Sequence, residues 1–226
     1  MKPTAKITEI FHSLQGEGIY LGDPTTFVRL AGCNLDCSYC DTPQAKDDGK
    51  ATEMNVSEVL AKISAVTQPG QFVSFTGGEP LLQSGSLSAI IPVLKEKKFI
   101  TYLETNGTLP RELAPLISGI EVISMDIKPP SACGEDLWDV QREFLTIAKE
   151  KAFVKMVVCD NTVPGEVERA AKMIADIDKK IIFILQPAEG RSAPDIQAVR
   201  RYQGLAGQFL TQVSIIRQMH KIWQIR

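Results

Sequence analysis

The chain has 226 residues, 44% hydrophobic and 23% charged, the balance of a globular protein long enough to bury a sizeable core. Its 25 basic and 27 acidic residues leave a net charge of −2, which argues against a general polyanion binder and hence against a nucleic-acid partner. The longest apolar run, residues 181–185, falls far short of the roughly 20 needed to span a bilayer, and the polar residues 1–6 lack the apolar core of a secretory signal, so a cytoplasmic protein without a membrane partner is expected.

Strand-like segments rich in β-branched and aromatic residues fall at 7–13, 25–31, 72–75, 100–104, 121–125, 152–158, 181–186 and 213–217. Helical patterns separate them. Asn55-Val56-Ser57-Glu58 has the form of a capping box, and Val59, Ile63 and Val66 give the helix behind it an apolar face. Leu137, Val140, Phe144 and Ile147 or Ala148 repeat that spacing, as do Val167, Ala170, Ala171 and Ile174 after Pro164. Alternating strands and helices imply parallel strands with helical crossovers, hence a barrel or an open doubly wound sheet, in one domain over residues 1–226. Polar or glycine-rich residues close successive strands: Gly32-Cys33, Thr76-Gly77-Gly78-Glu79, Glu104-Thr105-Asn106-Gly107, residues 124–128 and Gln186-Pro187. In parallel α/β folds the loops at that edge converge, so a single site built from many strand ends is expected.

Three of the five cysteines, Cys33, Cys37 and Cys40, stand at the spacing C-x3-C-x2-C in a loop after a strand. In a cytosolic chain such bunching points to a metal site before a disulfide framework. Three thiolates can hold three irons of a [4Fe–4S] cluster and leave the fourth open, as a catalytic metal requires. A zinc site is the alternative, with its fourth ligand to come from His12, His220, Cys133 or Cys159.

The cysteine loop followed by the Gly77-Gly78-Glu79-Pro80 strand end resembles the radical S-adenosylmethionine (SAM) superfamily. The resemblance implies a partial (β/α)6 TIM-like barrel, a cluster whose open iron is chelated by SAM, and reductive cleavage of SAM to a 5′-deoxyadenosyl radical. Residues 11–18, the run Phe27 to Leu35, Cys40-Asp41-Thr42, Glu104-Thr105-Asn106-Gly107 and Gln218-Met219-His220-Lys221 narrow it further, to the 7-carboxy-7-deazaguanine synthase family. Membership would imply ring contraction of 6-carboxy-5,6,7,8-tetrahydropterin with loss of ammonia on the route to queuosine, in a Mg2+-dependent homodimer served by an external electron donor such as flavodoxin.

Roles follow from that resemblance. Gly77, Gly78, Glu79, Glu104, Asn106, Ser124, Asp126, Lys128, Gln186 and Glu189 are expected around SAM. Glu79 would accept from its ammonium, Glu104 would bind the ribose, and Ser124 and Lys128 would lie near its carboxylate. Leu14, Gln15, Gly16, Glu17, Arg29 and Thr76 are expected around the pterin, Thr42 on Mg2+, and the tail at 213–226 over the site. An amide and a carboxylate at 15–17 suit the donor and acceptor edge of a pterin, although the same residues also read as a hairpin turn. Arg29, in an otherwise apolar strand, needs an anion, either a substrate carboxylate or an acidic neighbour. Thr42 could instead cap a turn before Pro43. Cys133 and Cys159 read as packing residues and His220 as a structural hydrogen-bonder. The competing readings are a radical SAM activase that forms a glycyl radical on a protein partner, and a non-enzymatic iron–sulfur electron carrier, which would usually supply four cysteines.

Overall fold

The computed structural model describes residues 3–225, apart from the Asp48 side chain. Met1, Lys2 and Arg226, the extremes of the expected domain and tail, lie outside the described residues. Strands β1 (Thr4–Leu14), β2 (Pro24–Leu30), β3 (Thr52–Asn55), β4 (Phe72–Gly77), β5 (Ile100–Thr105), β6 (Val122–Ile127), β7 (Ala152–Val158), β8 (Phe183–Pro187) and β9 (Val213–Ile215) form one sheet in the order β3-β1-β2-β4-β5-β6-β7-β8-β9. Helices α1 (Val56–Val66), α2 (Ser84–Glu96), α3 (Pro110–Leu113), α4 (Pro130–Cys133), α5 (Trp138–Ala148), α6 (Pro164–Ile177) and α7 (Ile196–Ala206) occupy the crossovers, and α8 (Met219–Trp223) follows β9. From β2 onward the strands on this side of the sheet run parallel, as the strand–helix alternation requires. The sheet ends at β3 and β9, so the barrel wall is incomplete and open, as expected.

The first pair departs from the pattern. β1 runs antiparallel to β2, because the short link between them leaves no room for a crossover helix. Leu14, the carboxyl end of β1, therefore pairs with Pro24 at the amino end of β2. The residues that follow enter the barrel from the edge opposite to every other strand-end loop. Strand β3 and helices α2 and α7 carry weaker signals in sequence: β3 is four residues long, and α2 contains Pro92. The capping box of α1 forms as its sequence dictates, with Asn55 and Glu58 exchanging side-chain-to-backbone bonds.

Period-two alternation divides the sheet into two faces. Val73, Phe75, Leu103, Ile123, Met125, Val154, Met156, Phe183 and Leu185 lie in the buried core with α1, α2, α5, α6 and α7. The other face carries a separate apolar layer of Phe72, Tyr102, Val122, Phe153 and Ile184, packed against Tyr20. Tyr20 meets the Phe72 and Tyr102 rings at centroid distances of 4.9 and 6.0 Å. Two residues further along each strand the same face turns polar, at Ser74, Glu104, Ser124, Lys155 and Gln186. The apolar layer is thus the floor of a polar chamber.

Candidate active site

The chamber is a cavity of about 470 Å³. Its wall brings together Cys33, Cys37, Cys40, Thr42, Leu14, Gln15, Gly16, Glu17, Arg29, Thr76, Gly77, Gly78, Glu104, Asn106, Ser124, Asp126, Lys128, Gln186 and Glu189. Among the described residues, one expected site residue does not line it. Glu79 is wholly buried behind the wall, where its carboxylate accepts from the Leu81 and Asn106 N–H groups at 3.0 and 2.8 Å and from the Thr105 hydroxyl. It holds the Thr105-Asn106 turn in place, and burial pushes its carboxyl up to about 7 against those hydrogen bonds.

The glycines of the same motif have a mechanical reason. A Cβ on Gly77, whose φ is +133°, would lie 2.0 Å from the Leu30 carbonyl oxygen, and one on Gly78 would lie 2.0 Å from that of Gly32. Only bare backbone lets the end of β4 close on the start of the cysteine loop, where the Glu79 N–H donates to the Gly32 carbonyl at 2.8 Å. The other end of the loop is tied to α4 by the Ser38 N–H, which donates to Ala132 at 2.9 Å. Cys33, Cys37 and Cys40 are all unpaired and half-buried. Burial raises the Cys33 thiol above its ordinary value and pushes that of Cys37 up to about 11. Without a cation these groups stay thiols, whereas a bound metal deprotonates a coordinating thiol outright. Three cysteines at the wall of one polar cavity fit a cluster with one open iron. Cys133, with its thiol 3.5 Å from the Pro129 carbonyl, and Cys159, packed with Val157 and Ala188, lie off the wall as packing residues.

Family-level comparison agrees with this geometry. Residues 27–179 match the model of the radical SAM superfamily. Over 97% of both chains the sequence is 39% identical to a 7-carboxy-7-deazaguanine synthase of Geobacter sulfurreducens. The chain belongs to that family. A second member, from Methanopyrus kandleri, is 34% identical over 97% of this chain and 94% of its own. The solved QueE of Escherichia coli shares the fold, with a TM-score of 0.66 at 23% identity over 94% of this chain and 93% of that one. Family membership brings with it a [4Fe–4S] cluster, SAM and a small-molecule substrate. It also makes the chain a radical SAM lyase. No helix among the described residues is long and apolar enough to cross a membrane.

Two polar constellations fill the synthase cavity. Glu104 accepts from the Gln15 amide at 3.1 Å, the Ser74 hydroxyl at 3.1 Å and the Thr76 hydroxyl at 2.8 Å, so it ties the 15–18 loop to β4. Asn106 donates to Asn34 at 2.9 Å, linking the β5 end to the cysteine loop. Arg29 has the acidic neighbour anticipated for it, Glu9 at 2.8 Å, while also reaching the cavity wall.

The second constellation joins the expected Glu17, Asp126 and Lys128 through a residue that the sequence did not single out, Lys155. Lys155 pairs with Glu17 and lies 3.4 Å from Asp126, which pairs with Lys128 at 3.0 Å. Burial opposes ionisation of Glu17, but the Lys155 charge and the Lys155 and Gln218 hydrogen bonds outweigh it and hold the carboxyl at about 2. Burial likewise opposes the Lys128 charge, which Asp126 and then Tyr39 sustain, so its pKa stands well above the ordinary lysine value. A lone lysine between Phe153 and Val157 on the inward face of an apolar strand is the signal that singled out Arg29, and it marks Lys155 equally well. The tail completes the enclosure. The Gln218 amide donates at 2.9 Å to both Glu17 and Asp41, Lys221 pairs with Asp41 at 3.2 Å, and the Met219 N–H donates to the Gly16 carbonyl. Glu189 is held by Arg217 at 2.9 Å.

For a hard cation the cavity offers two places. Glu17, Asp41 and His220 bring ligand atoms within 4.8 Å of one another, but the Gln218 amide, Lys155 and Lys221 already engage both carboxylates. Thr42 donates its hydroxyl hydrogen to Asp41 at 3.1 Å, which leaves the oxygen lone pairs for another partner.

Proposed function

We propose that this chain converts 6-carboxy-5,6,7,8-tetrahydropterin into 7-carboxy-7-deazaguanine with loss of ammonia, acting as one domain with the tail as its closing element. The observation that carries the reading is the common cavity of the three cysteines, the Gly77-Gly78 strand end and the Gln15–Glu17 donor–acceptor edge. The names of the relatives support the substrate. The cluster and SAM, when bound, supply the one-electron chemistry that cleaves SAM and removes a hydrogen atom from the pterin.

The chain's own residues bind and orient. Cys33, Cys37 and Cys40 hold the cluster. Gly77, Gly78, Glu104, Asn106, Ser124, Asp126, Lys128, Gln186 and Glu189 surround SAM, and Glu79 acts on that group indirectly, by fixing the turn that presents Asn106. Leu14, Gln15, Gly16, Glu17 and Thr76 define the pterin position. Arg29 exchanges Glu9 for, or shares it with, the substrate carboxylate. Thr42 gives a single neutral oxygen to Mg2+, an ion that keeps several waters and combines few protein oxygens with those of its substrate. A homodimer, served by an external electron donor such as flavodoxin, is the working form.

The activase reading needs an open groove for a peptide loop. Against it stands the Gln218 amide, which straps the 15–18 loop to the cysteine loop. The test is anaerobic reconstitution with iron and sulfide, then turnover with reductant, SAM and the carboxytetrahydropterin, read by mass spectrometry. The deazaguanine product is expected; SAM cleavage with the pterin returned unchanged defeats the assignment.

A further inference from the structure

Five side chains form a line along the cavity. Glu17 stands at one end, in the loop that enters from the amino edge. Lys155 follows, then Asp126, Lys128 and Tyr39 of the cysteine loop, whose hydroxyl accepts from Lys128 at 3.1 Å. Strand register builds the centre of the line. Asp126 and Lys155 are direct partners across β6 and β7, and alternation along β6 puts Ser124, Asp126 and Lys128 on the same face. The side chains of Lys155, Asp126 and Lys128 are 12%, 15% and 13% exposed, so their mutual attraction is little screened by solvent.

The line is incomplete at its middle. Both lysines use the same Asp126 oxygen, Oδ2, and Lys155 stands farther from it, at 3.4 Å against 3.0 Å for Lys128. The other oxygen, Oδ1, is buried with no hydrogen-bond partner among the described residues. Asp126 is therefore contested between two cations and has unused acceptor capacity. An anion that engaged Lys128 would free Asp126 for Lys155, and Lys155 would then loosen from Glu17, leaving that carboxylate to accept from a ligand.

We infer that Lys155 is a positioning residue that couples the two ligand positions, so that filling the SAM end favours filling the pterin end. The inference rests on the assignment of SAM to the Lys128 end and pterin to the Glu17 end. Linkage makes the effect reciprocal: pterin tightens SAM by the same factor as SAM tightens pterin.

Calorimetric titration of the reconstituted holoprotein, without reductant so that neither ligand turns over, measures SAM affinity with and without saturating carboxytetrahydropterin. The wild type is expected to show a coupling of about 5- to 150-fold. In Lys155→Met the factor should fall to near one, and Lys155→Arg, which restores the charge, should recover most of it. Lys155→Gln keeps a hydrogen-bond donor without the charge and gives the same reading should the methionine variant lose its cluster. A merely structural lysine would weaken each ligand alone and leave the factor intact, and that result overturns the inference. A wild type that binds SAM but no pterin overturns the substrate assignment as well, whereas tight pterin binding with a factor unchanged in the Lys155 variants overturns the coupling alone.

Discussion

Glu79→Gln isolates a carboxyl whose ionisation the fold delays until the pH approaches neutrality. Burial raises it to about 7 in the folded chain, and unfolding returns it to 4.5. Between those values the native state holds a proton that the unfolded chain has released. Its contribution to stability is therefore fully present below 4.5 and is lost as the pH rises through 7. At about 1.4 kcal/mol per unit of pKa, the gap amounts to about 3 kcal/mol across the window. Glutamine has the same shape and no proton to exchange. It also turns an amide nitrogen toward the Leu81 or Asn106 N–H, leaving a buried donor unsatisfied at a cost of about 1–3 kcal/mol that does not vary with pH.

Urea unfolding of the cluster-free chain, at pH values from about 4.5 to about 8, separates the two effects. Wild type should exceed the variant in stability at every pH, and by about 3 kcal/mol more at the acid end than at the alkaline end. Glu17 and Asp41, both held at about 2, keep their contribution above their ordinary values of 4.5 and 3.8 and lose it as the pH falls from there through 2, below the window and equally in both proteins. Parallel curves for wild type and variant would refute the reasoning: the carboxylate would then be ionised throughout, with its N–H and O–H donors outweighing burial.

Cys37→Ala should abolish the cluster absorbance and SAM cleavage together; a full four-iron cluster retained in the variant would remove Cys37 from the ligand set. Arg29→Ala is expected to weaken pterin binding roughly 10- to 100-fold, the worth of a charge-assisted contact, while sparing SAM. If SAM affinity falls instead and pterin affinity holds, Arg29 serves Glu9 and the sheet rather than the substrate. Thr42→Val keeps the shape and removes the oxygen, so stimulation by Mg2+ should diminish while cluster assembly and uncoupled SAM cleavage survive; an unaltered Mg2+ dependence contradicts the ligand role. Gly77→Ala forces a side chain to within 2.0 Å of the Leu30 carbonyl at a positive φ, and should cost more than about 3 kcal/mol in urea unfolding, which a wild-type midpoint would disprove.

What could be read from the residues alone divides along sequence distance. The cysteine loop, the Gly77-Gly78 turn and the capping box of α1 are local, so spacing and residue type suffice to find them. Their partners are harder to see. Glu79 looks like a ligand group at a strand end, and only the fold shows its carboxylate turned inward to the Thr105-Asn106 turn. Arg29 needs an anion on any reading, yet nothing in the string distinguishes Glu9 from a substrate. Lys155 acquires meaning through two contacts, one across the sheet to Asp126 and one to a loop that comes in from the opposite edge. That entry follows from the antiparallel sense of β1, set by a link too short for a crossover rather than by any residue within the strand.

The strap formed by Gln218 joins residues 201 and 177 positions apart, Glu17 and Asp41. Contacts of such separation are among the slowest to be rewarded during folding, since most of the chain must be ordered before they can close. Gln218 and Lys221 also lie C-terminal to the cysteine loop and so are synthesised after it. The cysteine loop is therefore made before the strap that closes over it. A polypeptide that stopped after β9 would hold every strand of the sheet and its apolar floor but lack the Gln218 amide that links Glu17 to Asp41.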